Sequence, residues 1–473
     1  MFRGVRQIPS HQPSWSVIVI VEEVIEPLKT TFCPIIALLA LAALPSYAYL
    51  RLHPENPRYF QESTTGEAVL FAGCDGVVPT SRGRDYVKEV EHMKAHHITY
   101  GRVWHFLPWE GANAIWPWAE SDTPGGYWGG RGGNKLDMDR WNPEYWNRMA
   151  DAMRRCAKEC IYSEIHLFDR CGLSPASNTR YGNNPWASDH NINNLEMPKA
   201  QGGDGTPDFY FYKEKPSLRK YQEAYVRKMI DETIGSSTVI YEIENEHWKL
   251  DSADFGAHYA KFVKDYIAAK YPDQPRLVSY SSLMSDLEKF YEIPEVDIVN
   301  YHYGNKASDT EALNNYIESR WDKKKAINID EFANDTDDPS VLRLLCWTIV
   351  TSGGHFHIEA SLDEPQQLEA CESIRQFRVQ SKWDFVHSAP NKKLVVSGNG
   401  YCMANPGKEY VFYFPKGGSV KLGLVKGGNY TARWFNTVKC QFGDPIALRN
   451  VSDETMLETP DASDWVLHVK VES

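Results

Sequence analysis

The chain has 473 residues, of which 42% are hydrophobic, 13% aromatic and 24% charged. This composition is typical of a globular protein and excludes a mainly disordered chain, and the length predicts two or three domains. The formal net charge of −12 argues against a nucleic-acid binder or a protein that binds anionic membranes, because both need a basic surface. The many aromatic residues favour a neutral substrate with flat apolar faces.

The N-terminal region contains the apolar run IIALLALAAL at residues 35–44. Its length is typical of the apolar part of a signal peptide, and Ser46-Tyr47-Ala48 follows it as a small-x-small cleavage pattern. We therefore expect residues 1–48 to be a removed signal peptide and the mature protein to be secreted or periplasmic. A buried or anchoring helix is the alternative interpretation.

Eight of the nine cysteines lie after residue 48. An even number in an exported protein permits disulfides, but eight cysteines allow many pairings and their spacing selects none. Cys156 and Cys160 lie in a helical pattern that lacks a second pair of ligands at zinc-finger spacing, so we expect no structural zinc there.

From about residue 67, short β-rich runs alternate with amphipathic helical patterns such as 84–96 and 339–351. This alternation is typical of βα units around a parallel sheet. Eight such units close into a (β/α)8 TIM barrel, whose active sites lie where the strands enter the following loops. The predicted strands are 68–73, 98–104, 162–168, 238–243, 276–280, 296–301, 326–330 and 354–358.

Two of the predicted βα loops are unusually long, at residues 106–141 and 169–216. Loops of this length in a compact domain are usually functional. The first is rich in Gly and Trp, and together with Trp104 its indoles are candidates to stack against sugar rings. Trp146 lies in a helical pattern and is expected in the core. The candidate loop indoles are those of Trp109, Trp116, Trp118, Trp128 and Trp141.

After about residue 390 the helical periodicity gives way to short strands separated by Gly and Asn turns. This pattern predicts a small β-sandwich. We therefore expect a catalytic barrel at 52–388 and an accessory domain at 391–473. The accessory domain is expected to be dispensable for the chemistry, since the candidate catalytic groups all precede it.

Two carboxylates lie at the ends of predicted strands that face each other across the barrel mouth. Glu246 follows Asn245 at the end of the fourth strand, and Glu331 ends the seventh strand. Retaining cleavage of a glycosidic bond needs an acid to protonate the leaving oxygen and a nucleophile about 5 Å away. An amide beside the acid can hold the sugar 2-hydroxyl. The pattern therefore predicts Glu246 as acid/base and Glu331 as nucleophile.

A rival acid lies two positions before Glu246. Glu242, Glu244 and Glu246 alternate, and a regular strand would point all three side chains to the same side. A bulge or turn must therefore begin near Asn245, and Glu244 stays open as the acid/base.

Other residues at or near strand ends are candidate substrate contacts. An Arg or Tyr that donates to a carboxylate favours its ionised form, which suits a nucleophile. These candidates are Arg102, His166, His302, Tyr303 and Glu359.

This set of residues resembles the pattern of clan A glycoside hydrolases, which carry an Asn and the acid/base after strand four and the nucleophile after strand seven. The resemblance implies the same roles for Asn245, Glu246 and Glu331, and supporting positions for Arg102, His166, His302 and Tyr303. The segments HPENPRYFQESTTGEAVLFAG at 53–73 and YCMANPGKEYVFYFPKGGSVKLGL at 401–424, with ARWFNT at 432–437, are similar to the apiosidase-like and cellulase-like branch of the clan. The tail is similar to a domain labelled collagen-binding that follows such barrels.

We therefore expect a secreted retaining O-glycosyl hydrolase that acts on an oligo- or polysaccharide without cofactor, metal, nucleic acid or membrane partner. One alternative is a metal-dependent barrel hydrolase that uses His355 and His357 with His302 or an Asp. Another is a non-catalytic carbohydrate-binding protein. The sequence leaves open the sugar, the linkage, internal or terminal cleavage, and the oligomeric state.

Overall fold

The computed structural model describes residues 48–126, 133–174, 180–210, 212–246, 253–282, 287–302, 309–332, 336, 338–359 and 368–472. Nearly all of the expected signal peptide, and the candidate residues Trp128 and Tyr303, lie outside the described residues. The chain from Ser46 to Ser473 forms one compact unit. Within the described ranges, no helix is both long enough and apolar enough to cross a membrane.

The centre of the fold is a closed barrel of eight parallel strands. Each strand pairs in parallel with the next, and the last returns to the first. All eight predicted strands are present, so the TIM barrel is confirmed. The strands are β1 Ala72–Asp75, β2 Tyr100–Val103, β3 Tyr162–Asp169, β4 Val239–Asn245, β5 Val278–Ser282, β6 Ile298–His302, β7 Ala326–Phe332 and β8 His355–Ile358.

The first predicted strand begins too early. Ala68–Val69 pairs antiparallel with Phe60–Glu62, which pairs with Leu50–Leu52 in a small separate sheet. The apolar run at 68–73 therefore continues from one sheet into another, and hydrophobicity alone does not mark where the chain changes partner.

Helices surround the barrel, and several begin at caps that the sequence displays. Asp85, Asn142 and Asp338 each accept a hydrogen bond from a backbone N–H in the first turn, and prolines follow the last two caps. These residues satisfy amide groups that a helix leaves unpaired at its start. The helices are α1 Tyr86–Ala95, α2 Pro143–Lys158, α3 Thr206–Tyr210, α4 Pro216–Thr233, α5 Ala253–Lys270, α6 Leu287–Glu292, α7 Thr310–Ser319, α8 Pro339–Thr351 and α9 Glu369–Ser381.

The two long loops contain structure of their own and pack against each other. Trp118–Gly126 pairs antiparallel with Gly133–Trp141. The Leu136 amide donates to the His190 carbonyl at 2.8 Å, and the Ile192 amide donates to the Leu136 carbonyl at 2.9 Å, which joins the first loop to the second. The described parts of the two loops therefore form one wall beside the mouth at β2 and β3, called here the long-loop wall.

The C-terminal region is an antiparallel β-sandwich, which confirms the predicted fold class. Apolar side chains such as Phe412, Trp434 and Leu467 fill the space between its two sheets. The larger sheet consists of Ala389–Pro390, Tyr401–Asn405, Glu409–Phe414, Trp465–Val471, Tyr430–Asn436 and Gln441–Phe442, with Ile446–Leu448 beside Tyr430–Asn436. The smaller sheet consists of Val395–Ser397, Ser419–Leu422 and Thr455–Glu458.

The other face of the larger sheet packs directly on α8 and α9. The Trp347 ring of α8 stacks on Tyr413 with centroids 5.9 Å apart, and Phe377 of α9 meets Phe435 edge-on at 5.3 Å. Arg343 of α8 forms a two-pronged ion pair with Asp464, with distances of 3.0 and 2.9 Å. The sandwich and the barrel helices thus share one apolar core.

The eight cysteines among the described residues are all unpaired. Cys156 is buried inside α2, whereas Cys160 is exposed beyond its end. The disulfides that the even count permits are therefore not formed in this part of the chain.

Candidate active site

Both candidate catalytic glutamates lie at strand ends with unusual backbone geometry. Glu246 directly follows β4 with φ 55°, and Glu331 lies near the end of β7 with φ 44°. Non-glycine residues rarely adopt this left-handed region, and such strain clusters at functional sites.

His302, the last residue of β6, lies between the two glutamates. Its Nε2 is 3.8 Å from Glu246 Oε1, and its Nδ1 is 3.6 Å from Glu331 Oε2. One nitrogen of His302 and one oxygen of each glutamate all lie within 4.8 Å of one another. Burial lowers the pKa of His302, so the imidazole between the carboxylates favours its neutral form.

Arg102 of β2 is fully buried beneath this pair and connects the two strands. Its Nη1 contacts Glu331, and its Nη2 donates to Asn245 Oδ1 at 2.8 Å. Its Nε and Nη2 also donate to Glu242 at 3.1 and 2.6 Å. Burial alone would lower the pKa of Arg102, but the carboxylates of Asp330 and Glu242 raise it. The guanidinium therefore stays charged and favours an ionised Glu331.

The three alternating glutamates of β4 do not share one side. Glu242 points inward to Arg102, whereas Glu244 Oε2 accepts a hydrogen bond from the Tyr280 hydroxyl at 3.4 Å. The Tyr280 ring packs 4.1 Å from Phe290 of α6, so Glu244 faces the helical layer. The regular alternation therefore breaks before Glu246, and the rival acid is not brought to the mouth.

A buried histidine lies next to the proposed nucleophile. His357 of β8 is 3.3 Å from Asp330 and 3.2 Å from Asp75, and its Nδ1 is 3.4 Å from the Glu331 amide nitrogen. Burial alone would lower the pKa of His357, but the carboxylates of Asp330 and Asp75 raise it to about 9. The two carboxylates therefore favour the protonated form of His357.

This imidazolium predicts a loss of stability in alkali. A histidine whose pKa is raised from 6.5 to about 9 stabilises the fold fully below pH 6.5, and that contribution disappears as the pH rises through 9. It is on the order of 3 kcal/mol, at roughly 1.4 kcal/mol per pKa unit. Thermal melting at pH 6, 8 and 9.5 should show a smaller alkaline loss for His357→Asn than for wild type. His387→Gln, at an exposed histidine, is the control, and equal losses in wild type and His357→Asn would contradict the assignment.

The candidate indoles Trp104 and Trp109 lie near Asp75, the neighbour of His357, whereas Trp116 and Trp118 lie in the long-loop wall. The Trp104 Nε1 donates to Asp75 at 3.0 Å, and its ring lies 6.4 Å from Trp109, which is 39% exposed. Trp116 and Trp118 are buried within the long-loop wall, where they pack against Phe106 and Trp186. Their use against sugars stays a prediction, because sequence alone does not separate aromatic packing from ligand stacking.

His166 of β3 also lies at the mouth. Its ring is 5.2 Å from Trp104 and is stacked on His105 at 4.8 Å. Both of its ring nitrogens are buried and make no hydrogen bond within the described part of the chain. A sugar hydroxyl is one group that could pair with them.

The contacts of His355 do not support the alternative of a metal site at His355 and His357. Both ring nitrogens of His355 are engaged by backbone groups, since Nδ1 accepts from the Phe71 amide at 3.0 Å and Nε2 lies 2.8 Å from the Arg58 carbonyl oxygen. Burial lowers the pKa of His355 to about 4. His355 therefore hydrogen-bonds within the barrel wall. Glu359, a candidate substrate contact, directly follows β8 and is half-buried.

Sequence reasoning missed Asp169, the last residue of β3. Its Oδ1 accepts hydrogen bonds from the Cys171 amide at 2.9 Å and from Asn245 Nδ2 at 3.3 Å. Burial and the nearby charge of Glu246 raise the pKa of Asp169 to about 7. The only signal in the sequence was an acid at the end of a predicted strand, which is too common to single out.

No family model matches the sequence, and no curated protein matches it either. Among solved structures, a glycoside hydrolase family 5 protein from Bacteroides vulgatus is 13% identical, with 89% of this chain and 93% of that chain covered and a TM-score of 0.62. A second structure, described as a glycoside hydrolase, is 14% identical, with 90% and 97% covered and a TM-score of 0.62. The expected likeness is thus confirmed at the level of the fold, and the chain shares the fold of these two glycoside hydrolases over about nine-tenths of its length.

Proposed function

We propose that the protein is a retaining glycoside hydrolase that cleaves O-glycosidic bonds of an oligo- or polysaccharide by double displacement. The observation that carries this proposal is the approach of Glu246 and Glu331 oxygens to within 4.8 Å. Retaining enzymes keep their carboxyl groups about 5–5.5 Å apart, whereas inverting enzymes leave about 6.5–9.5 Å for a water molecule. One oxygen of each carboxylate therefore lies close enough for the shorter arrangement of a retaining enzyme, which supports retention.

The surroundings of the two glutamates fit different tasks. Glu331 contacts Arg102, which favours the ionised carboxylate that a nucleophile needs. Glu246 lies instead beside Arg170, whose Nη1 is 3.6 Å from the Glu246 Oε2. In the proposed reaction Glu331 attacks the anomeric carbon while Glu246 gives its proton to the leaving oxygen. Glu246 then takes a proton from the water that releases the sugar.

The assignment of the acid/base predicts a leaving-group pattern. Glu246→Gln should lower kcat on natural glycans by about 100-fold or more, and far less on aryl glycosides with good leaving groups, because those need little protonation. Glu244→Gln is the matched control and should not show this selectivity, because Glu244 faces Tyr280. Initial rates on a series of aryl glycosides measure it. If the selectivity appears in Glu244→Gln instead, the acid/base is Glu244.

Glu246, His302 and Glu331 also support a second candidate function, that of a metal-dependent hydrolase. Glu246, His302 and Glu331 present one oxygen or nitrogen each within 4.8 Å, a spacing at which they could hold a cation. Elemental analysis of the purified protein and assays after chelation separate the two functions. Full activity in a metal-free preparation would exclude the second candidate.

We also propose that the protein is exported after cleavage near Ala48. The support is the apolar run at 35–44 with its small-x-small pattern at 46–48. N-terminal sequencing of the protein recovered from outside the cytoplasm tests this, and an intact Met1 on the exported protein would contradict cleavage.

A further inference from the structure

The side-chain amide of Asn245 is held from two opposite sides. Its Oδ1 accepts a hydrogen bond from Arg102 Nη2 at 2.8 Å, and its Nδ2 donates to Asp169 Oδ1 at 3.3 Å. Both Asn245 and Asp169 are buried, and they are directly opposite each other in the β3–β4 pairing. The chain therefore places a donor on one side of the amide and an acceptor on the other.

These two neighbours allow only one orientation of the amide. A guanidinium can only donate, and above its pKa of about 7 the Asp169 carboxylate can only accept. Rotation of the amide by 180° would put NH2 against Arg102 and the carbonyl oxygen against Asp169, so that both hydrogen bonds would be lost. Asp169 and Arg102 together thus fix which atom of Asn245 is the donor.

Asp169 is itself anchored by the turn that follows β3. Its Oδ1 accepts from the Cys171 amide at 2.9 Å, and its Oδ2 accepts from the Gly172 amide at 3.2 Å. These contacts pair the first two amides of the short helical turn Cys171–Leu173. The contacts with the turn amides would be present even if Asp169 had only a structural role. A functional test must therefore isolate its contact with Asn245.

We propose that Asp169 is a positioning residue that orients the Asn245 amide, so that its second N–H is available to the 2-hydroxyl of the sugar at the cleaved bond. This inference rests on the proposed function. An amide held in one orientation needs no reorganisation when the sugar binds, and loss of such preorganisation lowers the rate.

The test uses Asp169→Ser, because a serine hydroxyl can still cap the turn amides but is too short to reach Asn245 at the same time. On an aryl glycoside with its 2-hydroxyl, kcat should fall about 10- to 100-fold. On the matched 2-deoxy glycoside, kcat should change less than about threefold, because the hydroxyl that Asn245 would hold is missing. In an Asn245→Ala background the same substitution should have almost no further effect.

Two further variants serve as controls. Asp169→Asn keeps one acceptor oxygen and should retain most of the preference for the 2-hydroxyl substrate. Asp189→Asn changes an aspartate of the same long loop whose Oδ1 accepts from the Ala200 amide at 2.8 Å, and it should leave both rates unchanged. Equal losses by Asp169→Ser on both substrates, or no loss on either, would overturn the positioning role.

A measurement without turnover separates this inference from the proposed function. The Asn245 side-chain amide resonance, assigned by its disappearance in Asn245→Ala, should show one slowly exchanging proton in wild type that becomes fast in Asp169→Ser. If no glycoside is cleaved but this change occurs, the orienting contact stands and the proposed reaction fails. If exchange is the same in both proteins, Asp169 does not hold the amide.

Discussion

Glu331→Ala should lose turnover by about 10⁴-fold or more, even on activated aryl glycosides, because no carboxylate remains to form the covalent intermediate. The shortened side chain leaves space for a small anion. Added azide should therefore restore turnover of an activated glycoside by direct attack and give a glycosyl azide of inverted configuration. Rates with and without azide, and NMR of the product, measure the effect.

The matched variant is Glu246→Ala, which leaves the nucleophile in place. Its covalent intermediate should still form, so azide should give a product of retained configuration. Wild-type enzyme should release a sugar that keeps its anomeric configuration, since two inversions restore it. Proton NMR of the fresh wild-type product decides the mechanism, and an inverted sugar there would rule out double displacement whatever the variants do.

Removal of the C-terminal sandwich should prevent the barrel from folding stably. A chain that ends at Pro390 would expose the faces of α8 and α9 that carry Trp347 and Phe377, and would leave Arg343 without Asp464. Each large apolar side chain contributes about 1.5–3 kcal/mol on burial, and several rings on both sides of this contact would lose that contribution together. Together these losses approach the roughly 5–15 kcal/mol of a whole protein. Solubility and thermal melting of the truncated chain measure the result.

Point substitutions in the full chain provide a milder version of this test. Tyr413→Ala and Phe435→Ala remove rings that face the barrel helices, and each should lower the free energy of unfolding by about 3–5 kcal/mol. Met456→Ala, on an exposed part of the smaller sheet, should change it by less than about 0.5 kcal/mol. A soluble truncated barrel with the melting temperature and activity of the full chain would show that the two parts fold independently.

The exposed surface of the sandwich can be compared with the face that packs against α8 and α9. The exposed large hydrophobic residues in its described part are Val396, Val425, Val438, Met456 and Val471. None of them is aromatic, so this part of the domain presents no exposed ring on which a sugar could stack. The larger sheet of the sandwich instead packs rings such as Tyr413 and Phe435 against α8 and α9.

The barrel, and the strand ends that carry the candidate glutamates, could be predicted from the sequence. Alternating β-rich and helical patterns are local, because each strand and helix must bury its own apolar face. Glu246 and Glu331 could be found because a parallel barrel collects the residues that end its strands at one mouth. Their roles in catalysis stay predictions that the variants above test.

Which polar groups contact each other could not be predicted, because it depends on how distant segments pack. Period-two alternation in β4 left Glu244 and Glu246 equivalent, and contacts with Tyr280 and His302 separated them. Likewise, Asp169 gained a role only because β3 and β4 pair side by side and bring it to Asn245. Each of these contacts joins residues far apart in the chain, and hydrophobic periodicity reports which face a residue occupies but not which distant side chain it will contact there.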